Sequence, residues 1–358
     1  TNRCGFCVLH PIEGVAGTAA EVIHTDGSIE HSRFPDLIEP WQPFKDMRAI
    51  SHEIGGGLRA TCLMEGDTFE MEDQRAWSDA SYKTYVRPLA LPWPYVIDSG
   101  EKNVQTITVT LSGEKTGVAA TTAEETAVTK ISLTAPGTET MPRFGLAIAP
   151  SEAKDAYTRL QSLQDLAPQF LLFHFDIGAG HDSDTRATFA AIADALPSAE
   201  IALELVIPAS SDPTQACRAV ATEIEAASLR PDTVVVGPDV DRQSTPPGSE
   251  WPACPPLDDF YSAARRAFPN VRLGGGMFSY FTELNRKRVP LSQLDFVTHA
   301  TCPIVHAADD LSVMQTLEAI PFITRSTRSF IGLAAYRLGP TTIGMRQNPY
   351  GSRTMPNP

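Results

Sequence analysis

The spacing of hydrophobic and polar residues changes its period near residue 140. Before that point, stretches such as 103–111 (NVQTITVTL) and 126–133 (TAVTKISL) alternate β-branched and polar residues, with the turn-forming sequence SGEKTG between them. Alternation with a period of two is typical of strands that bury one face. The pattern predicts an all-β, sandwich-like domain over residues 1–140.

After residue 142, apolar runs alternate with helical patterns. The runs that predict strands are 144–149, 170–176, 201–207, 233–237, 271–276, 295–300 and 329–335. Because these runs are apolar throughout, they are typical of parallel strands that are buried on both faces. Seven such units predict a TIM-type (β/α)8 barrel over residues 143–351, with its eighth strand beyond residue 358 and a tail at 352–358.

An open, doubly wound sheet is the alternative arrangement for this alternation. Such sheets usually carry a glycine-rich phosphate turn after the first strand, whereas IAPSEAKD follows the first strand here. The glycine cluster at 274–276 lacks the GxGxxG spacing. We therefore predict the barrel and expect no nucleotide cofactor.

Composition and charge argue against several classes of partner. The chain has 358 residues, is 42% apolar and carries a formal net charge of −14, which is unfavourable for binding nucleic acid or an anionic membrane. No run approaches the ~18–20 apolar residues of a membrane span, and the first residues lack the features of a signal peptide. Six scattered cysteines indicate a reducing, cytoplasmic location. The chain opens without Met in a strand-like run, so we expect both ends to be missing from a longer protein.

Candidate chemistry collects where the predicted barrel strands end. In barrels of this type, catalytic groups lie at the C-terminal ends of the strands and in the loops that follow. Histidine, carboxylate, Tyr, Asn and Arg at these positions suit acid–base hydrolysis of a polyhydroxylated substrate. The catalytic candidates are Glu204, Glu283 and His299. The substrate-binding candidates at these positions are His174, Asp176, Tyr280, Asn285, His306 and Arg337.

Simpler structural explanations exist for several of these residues. Strand alternation puts Glu204 on one face, and burial against the helices would be costly without a partner, which favours the barrel mouth. Glu283 could instead pair with Lys287 one helical turn later. His299 and His306 could each be neutral core histidines.

A metal site is the least supported possibility. His174, Asp176 and His299 could assemble a divalent site, but their spacing is weak evidence. The CGFC sequence at 4–7 has no second ligand pair and is followed by VLHPIEG, which breaks before a helix could form. We expect no metal and no cofactor.

Residues 69–85 (FEMEDQRAWSDASYKTY) combine carboxylates, cations and aromatic rings in one short segment. We expect this segment to close over the barrel mouth, with Glu72, Asp73 and Trp77 facing the ligand. The alternative is an ion-paired connection between the domains, since Asp79 and Lys83 lie at helical spacing.

Several long stretches carry a family resemblance. They are 2–11 (NRCGFCVLHP), 24–44, 69–89, 274–286 (GGGMFSYFTELNR), 298–310 (THATCPIVHAADD) and 344–351 (GMRQNPYG). Together they resemble the D-apionate lactonase family of bacterial apiose catabolism. The resemblance implies an N-terminal β domain, a middle barrel domain and a C-terminal domain that is absent here.

The resemblance also implies a reaction, the opening of a sugar-acid lactone, most directly D-apionolactone to D-apionate. The partner would be a small-molecule sugar lactone, and no oligomeric state is indicated. A base among Glu204, Glu283 and the histidines would activate water. Donors such as Tyr280 or Arg337 would stabilise the oxyanion.

Two rival functions come from different classes. Glu204 and Glu283 could be the carboxylate pair of a glycoside hydrolase at the barrel mouth. A carbohydrate-binding protein without catalysis is the other alternative, although a binder gains little from histidines and glutamates at strand ends.

Overall fold

The computed structural model of the protein describes residues 4–92, 94–114, 132–133, 135, 137–138 and 140–346. Most of the predicted strand at 126–133 and the tail at 352–358 lie outside the described residues. None of the helices in the described part of the chain combines the length and the apolarity that a bilayer crossing requires.

The N-terminal part is built from antiparallel strands. These are β1 (Cys7–Pro11), β2 (Ala19–His24), β3 (Ile29–Arg33), β4 (Met47–Glu53), β5 (Arg59–Glu65), β6 (Glu70–Glu72), β7 (Ser81–Tyr85) and β8 (Thr106–Ser112). Among the described residues they form a five-stranded sheet of order β3-β2-β4-β5-β8 and a three-stranded sheet of order β1-β7-β6. Phe34, Phe44, Met47, Ile50 and Phe69 belong to one buried cluster of this domain. The predicted all-β domain is confirmed.

The second part is a parallel barrel that is nearly closed. Its strands are β9 (Gly145–Ile148), β10 (Phe170–Asp176), β11 (Glu200–Ile207), β12 (Thr233–Pro238), β13 (Arg272–Tyr280), β14 (Phe296–Thr301) and β15 (Ala335–Thr341). In the described residues each strand pairs with its neighbours in chain order, from β9 at one edge to β15 at the other. The predicted barrel fold is confirmed.

Helices follow the strands. They are α1 (Ala153–Thr158), α2 (Leu160–Leu166), α3 (Ser183–Ala195), α4 (Pro213–Ala226), α5 (Leu257–Ala267), α6 (Phe281–Lys287), α7 (Asp310–Gln315) and α8 (Ile320–Phe330). The strand prediction at 329–335 is wrong in position, because α8 occupies its first residues and β15 begins only at its last. The apolar run there is a helix end and a turn, with Ile331 buried and Gly332 at φ +59°.

The strands of the barrel have two different faces. Leu171 and Phe173 of β10 and Leu203 of β11 belong to the large buried cluster shared with the helices. The opposite face points into the barrel, where Val206 and Phe296 share a small apolar cluster. Side chains at alternate positions therefore meet either the helix layer or the barrel interior.

A cavity of about 420 Å³ lies inside the barrel between its two edge strands. Its lining includes Arg143, Phe170 and Arg337 near the amino ends of the strands and Glu204 further along β11. Glu204 therefore points into the barrel interior, as strand alternation predicts.

Candidate active site

His174 and Glu204 are a hydrogen-bonded pair on neighbouring strands. The parallel register of β10 and β11 places them directly opposite each other, and Nδ1 of His174 lies 2.6 Å from Oε1 of Glu204. The carboxylate accepts a hydrogen bond from the Nδ1–H of His174, which leaves Nε2 as the basic nitrogen of the ring. The side chain of His174 is 16% exposed, so this nitrogen belongs to a partly accessible ring.

Arg346 completes this cluster and sets the charge of Glu204. Its guanidinium donates to Glu204, and its Nη2 lies 3.3 Å from Nδ1 of His174. Burial by itself would raise the pKa of Glu204, but the charge of Arg346 and the hydrogen bond from His174 outweigh burial and lower it to about 2. Glu204 is therefore a stable carboxylate that orients His174, with too little proton affinity to act as a base itself.

Asp176 follows on the same strand face as His174. It forms an ion pair with Arg242 and accepts a hydrogen bond of 2.8 Å from the backbone N–H of Gly178. These contacts hold the turn after β10 against the segment after β12, so Asp176 lies at the mouth with its carboxylate already paired.

Glu283 also lies at the barrel mouth, in the first turn of α6, which follows β13. Its Oε1 accepts hydrogen bonds from Ser244 at 2.6 Å and Arg286 at 3.3 Å. The residue is 1% exposed, and Oε2 has no hydrogen-bond partner among the described residues. Burial raises the pKa of Glu283 despite the charge of Arg286.

Part of the segment 69–85 reaches the barrel mouth. Ser78 and Thr301 share a buried hydroxyl–hydroxyl hydrogen bond of 2.7 Å, and Thr282 donates to the carbonyl of Ala76 at 2.8 Å. Thr301 ends β14 and Thr282 lies in the first turn of α6, directly after β13, so both bonds lie at the C-terminal ends of barrel strands.

Trp77 and Glu72 are bonded to each other within this segment. The indole N–H of Trp77 donates to Glu72 at 3.0 Å, and Lys83 pairs with the same carboxylate at 2.8 Å. The Trp77 ring packs edge-on against Tyr280 and His306, with centroids 6.2 Å apart in both cases. Burial opposes the ionisation of Glu72, but Lys83 outweighs it and lowers the pKa.

Asp73 has a different environment from its neighbour Glu72. Both of its oxygens accept hydrogen bonds from Arg75, at 2.8 and 2.6 Å, and both side chains are fully buried. Arg75 also donates to the carbonyl of Pro35 at 2.8 Å. The structure places Asp73 in the packing between the domains, with its carboxylate turned away from the mouth toward Arg75.

Two other candidates from the sequence, His299 and Asn285, lie outside the mouth. His299 faces the helix layer, where Nε2 lies 2.8 Å from the hydroxyl of Tyr336 and burial lowers its pKa to about 4. Asn285 donates to the carbonyl of Ile38 at 2.8 Å and accepts from Arg288. We leave both residues out of the site that we propose, because their polar atoms are engaged inside the protein.

Arg337 lies inside the barrel but at the opposite end from the mouth. Its guanidinium bonds Glu200 at 2.6 Å and Thr233 at 3.2 Å. Those two residues begin β11 and β12, so Arg337 closes the amino end of the barrel. We leave it out of the proposed site for this reason.

The part of the chain that the structure describes contains no evident metal site. No three His, Cys, Asp or Glu side chains there are arranged to hold a metal ion. His174 and His299 lie on opposite faces of the barrel sheet, so the metal set considered from the sequence is not assembled.

Two contacts at the mouth are not predicted from the sequence. Arg346 contacts a residue 142 positions away, and Ser244 contacts Glu283 from 39 positions away. Arg346 lies in the family stretch 344–351, but nothing in that stretch indicates its partner, and Ser244 lies in no motif or periodic pattern.

The fold and the mouth together define a class of protein, a (β/α) barrel whose N-terminal β domain reaches over a rim of acid–base groups. A family model for the D-apionate lactonase TIM barrel domain matches residues 144–358, and one for the D-apionate lactonase N-terminal domain matches residues 1–114. The chain belongs to the D-apionate lactonase family, as its sequence resemblance indicates.

A curated relative agrees with the family. The chain is 59% identical over 360 residues to the D-apionate lactonase of Brucella anthropi, an alignment that covers 100% of this chain and 58% of that protein. The chain thus spans 58% of the length of this relative. A solved structure of fungal β-1,4-galactanases matches with a TM-score of 0.35 and 11% identity, over 51% of this chain and 71% of that one. That likeness is too weak to bear on function.

Proposed function

We propose that this protein is a lactone hydrolase that opens a sugar-acid lactone, with D-apionolactone as substrate and D-apionate as product. The observation that carries the proposal is the His174–Glu204 pair at 2.6 Å in the barrel interior. The D-apionate lactonase of Brucella anthropi supports the choice of substrate.

In this proposal His174 is the general base. Its Nε2 takes a proton from water while the water oxygen attacks the lactone carbonyl carbon. Glu204, ionised because its pKa lies near 2, keeps Nδ1 protonated and stabilises the imidazolium that forms. Arg346 keeps Glu204 ionised through its charge, and this carboxylate offsets the guanidinium that lies 3.3 Å from Nδ1.

In this proposal the segment 69–85, which reaches the barrel mouth, contributes to substrate binding. We propose that Trp77 and Tyr280 present aromatic surface to the lactone, while Glu72 accepts hydrogen bonds from its hydroxyl groups. An aromatic face beside carboxylates suits a polyol, because C–H groups stack on the ring and hydroxyls reach the polar atoms.

The glycoside hydrolase alternative is not favoured. A glycosidase needs one carboxylic acid and one carboxylate facing the same bond. Glu204 is committed to His174 and Arg346, and Glu283 is closed off from solvent at 1% exposure. The family and the curated relative both carry the name of a lactonase.

The test is proton release by purified full-length protein with D-apionolactone, alongside an aryl glycoside. We expect release with the lactone alone, unaffected by EDTA. His174→Gln should lower kcat/KM by about 10²–10⁴-fold, the usual contribution of a general base. Glu204→Gln should also lower it, because a neutral amide no longer stabilises the imidazolium.

The control is His31→Gln, since the His31 side chain is 77% exposed on the N-terminal domain. This variant should keep the wild-type rate. Cleavage of the glycoside with no reaction of the lactone would refute the proposal. Undiminished activity of His174→Gln would refute the assignment of the base.

A further inference from the structure

A second pair of a carboxylate and a histidine lies at the barrel mouth, and it is shared by the two domains. Nδ1 of His306, in the loop after β14, is 2.6 Å from Oδ2 of Asp79, in the N-terminal domain. The residues are 227 positions apart in the chain. The distance and the choice of ring nitrogen are the same as in the His174–Glu204 pair.

The pair is held in place from both sides. Ser78, next to Asp79, is bonded to Thr301 in a buried contact of 2.7 Å, and the edge of Trp77 packs against the His306 ring at 6.2 Å. The segment around Asp79 is therefore anchored to the barrel domain even without the ion pair between Asp79 and His306. Because Asp79 engages Nδ1, Nε2 is the nitrogen of His306 that can meet a ligand, and the side chain is 29% exposed.

The two pairs lie on different sides of the mouth. His174 is on β10, and His306 follows β14, four strands further along the sheet. In the nearly closed sheet of seven described strands, positions four strands apart lie across the barrel from each other. A ligand in the mouth would thus have one histidine on either side.

We propose that His306, oriented by Asp79, is the general acid that protonates the ring oxygen when the lactone opens. This inference rests on the proposed lactone hydrolysis. Water attacks the carbonyl carbon and gives one proton to Nε2 of His174, which forms the tetrahedral oxyanion. When this collapses, the bond between the carbonyl carbon and the ring oxygen breaks, and the ring oxygen takes the proton from Nε2 of His306.

The protons balance over a full turnover. His174 loses its added proton to solvent, His306 regains one, and the new carboxylic acid ionises, so one proton is released for each lactone. Asp79 is a positioning residue that holds Nδ1–H of His306. Glu72 is a further charged group that acts on His306, and it is paired with Lys83 at 2.8 Å.

The test compares two leaving groups. A sugar γ-lactone releases an alkoxide and needs an acid, whereas dihydrocoumarin releases a phenolate, a far weaker base that leaves without one. We expect His306→Gln to lower kcat/KM for D-apionolactone by about 10²–10³-fold, within the range of general acid catalysis. For dihydrocoumarin we expect a loss below about tenfold.

The pH profile provides a second readout. The alkaline limb of kcat/KM for the sugar lactone should disappear in His306→Gln, because that limb reports loss of the acid's proton. Asp79→Asn should lower kcat/KM for the sugar lactone more than for dihydrocoumarin, because the amide no longer fixes the orientation of the Nδ1–H of His306. A purely structural role of His306 would leave the alkaline limb in place.

His24→Gln is the matched control. His24 also pairs with a carboxylate, Glu30 at 3.2 Å, and is 20% exposed, but it lies in the β2 strand of the N-terminal domain. This variant should leave kcat/KM for both substrates and the pH profile unchanged. Thermal melting of each variant checks that the fold is intact.

The outcomes separate the two proposals. A wild-type protein that hydrolyses no sugar lactone refutes the proposed function itself. An active wild type with an unchanged His306→Gln refutes the general acid, as do equal losses on both substrates with the alkaline limb retained. If the mouth does not accept dihydrocoumarin, the pH profile decides alone: loss of the alkaline limb supports the general acid, and its retention overturns it.

Discussion

Burial keeps the imidazole of His299 neutral between β14 and the helix layer. The residue is fully buried, and burial lowers its pKa from 6.5 to about 4. His10 in the N-terminal domain behaves in the same way, because burial and the neighbouring His52 lower its pKa to about 4. Both rings accept a proton more readily in the unfolded chain than in the folded protein.

The first prediction concerns stability against pH. Since the folded pKa is depressed, the stabilising effect is complete above pH 6.5 and is lost as the pH falls towards 4. Between pH 6.5 and 4.5, where most carboxylates stay ionised, each ring should remove about 2–3 kcal/mol from the free energy of unfolding. Urea unfolding at a series of pH values measures the decline.

Variants assign the decline to its source. His299→Gln should flatten the pH dependence over this range, in addition to any uniform loss of stability. His31→Gln, which removes an exposed histidine, should leave the slope as it is. A slope that stays the same in His299→Gln would contradict the linkage.

At the scale of the element, β13 shows why a strand can contain three glycines in a row. A Cβ at Gly274 would come within 2.3 Å of the Phe296 ring, and one at Gly275 within 2.6 Å of the Tyr261 hydroxyl. At Gly276, with φ +144°, a Cβ would lie 1.8 Å from the carbonyl oxygen of Thr298. The run is explained by close packing on both faces of the sheet, with no need for a phosphate-binding role.

The second prediction follows from that crowding. Gly276→Ala should destabilise the protein by about 3 kcal/mol or more, because the backbone of β14 cannot yield as a flexible side chain could. Gly14→Ala is the control, since Gly14 has φ +71° and no atom within 4 Å of the added Cβ. It should cost only the strain of about 1–2 kcal/mol. Equal losses in chemical denaturation would argue against the steric explanation.

At the scale of the whole molecule, the two domains share buried structure. Ile12, Ile38 and Trp77 of the N-terminal domain belong to one buried apolar cluster with Tyr280 and Phe281 of the barrel domain. The Asp73–Arg75 pair lies beside this contact, where the Arg75 guanidinium also packs 4.7 Å from the ring of Phe322. The mouth is therefore positioned by both domains.

The third prediction concerns this buried pair. Arg75→Met should destabilise the protein by about 3–5 kcal/mol, because it leaves the carboxylate of Asp73 buried without its cation. The double variant Asp73→Asn/Arg75→Met should be less destabilised than the single one. Arg325→Met, which removes an exposed arginine paired with Asp36, should change little.

Chemical unfolding of the three variants provides the measurement. If the double variant were as unstable as Arg75→Met, the loss would come from packing and from the carbonyl contacts of Arg75. The unpaired charge would then not be its cause.

The architecture followed from sequence patterns because those patterns are local. Period-two alternation put Glu204 on one face of β11, and the cost of burying an unpaired carboxylate against the helices favoured the inner face. Seven apolar strands in alternation with helices indicated a barrel. The position of β15 was missed because the apolar run at 329–335 spans the end of α8 and the turn after it, where Ile331 is buried and Leu333 is exposed. His299 shows the same limit, since a shift of one residue along a strand exchanges the barrel interior for the helix layer.

The sequence by itself determined the order of strands and helices, the two kinds of domain and the family. Only the tertiary structure decided which polar groups meet at the mouth. Arg346 reaches Glu204 across 142 residues and His306 reaches Asp79 across 227. Periodicity reports which face of an element is buried, whereas contacts between distant elements depend on how whole strands, loops and domains pack, which no local pattern encodes.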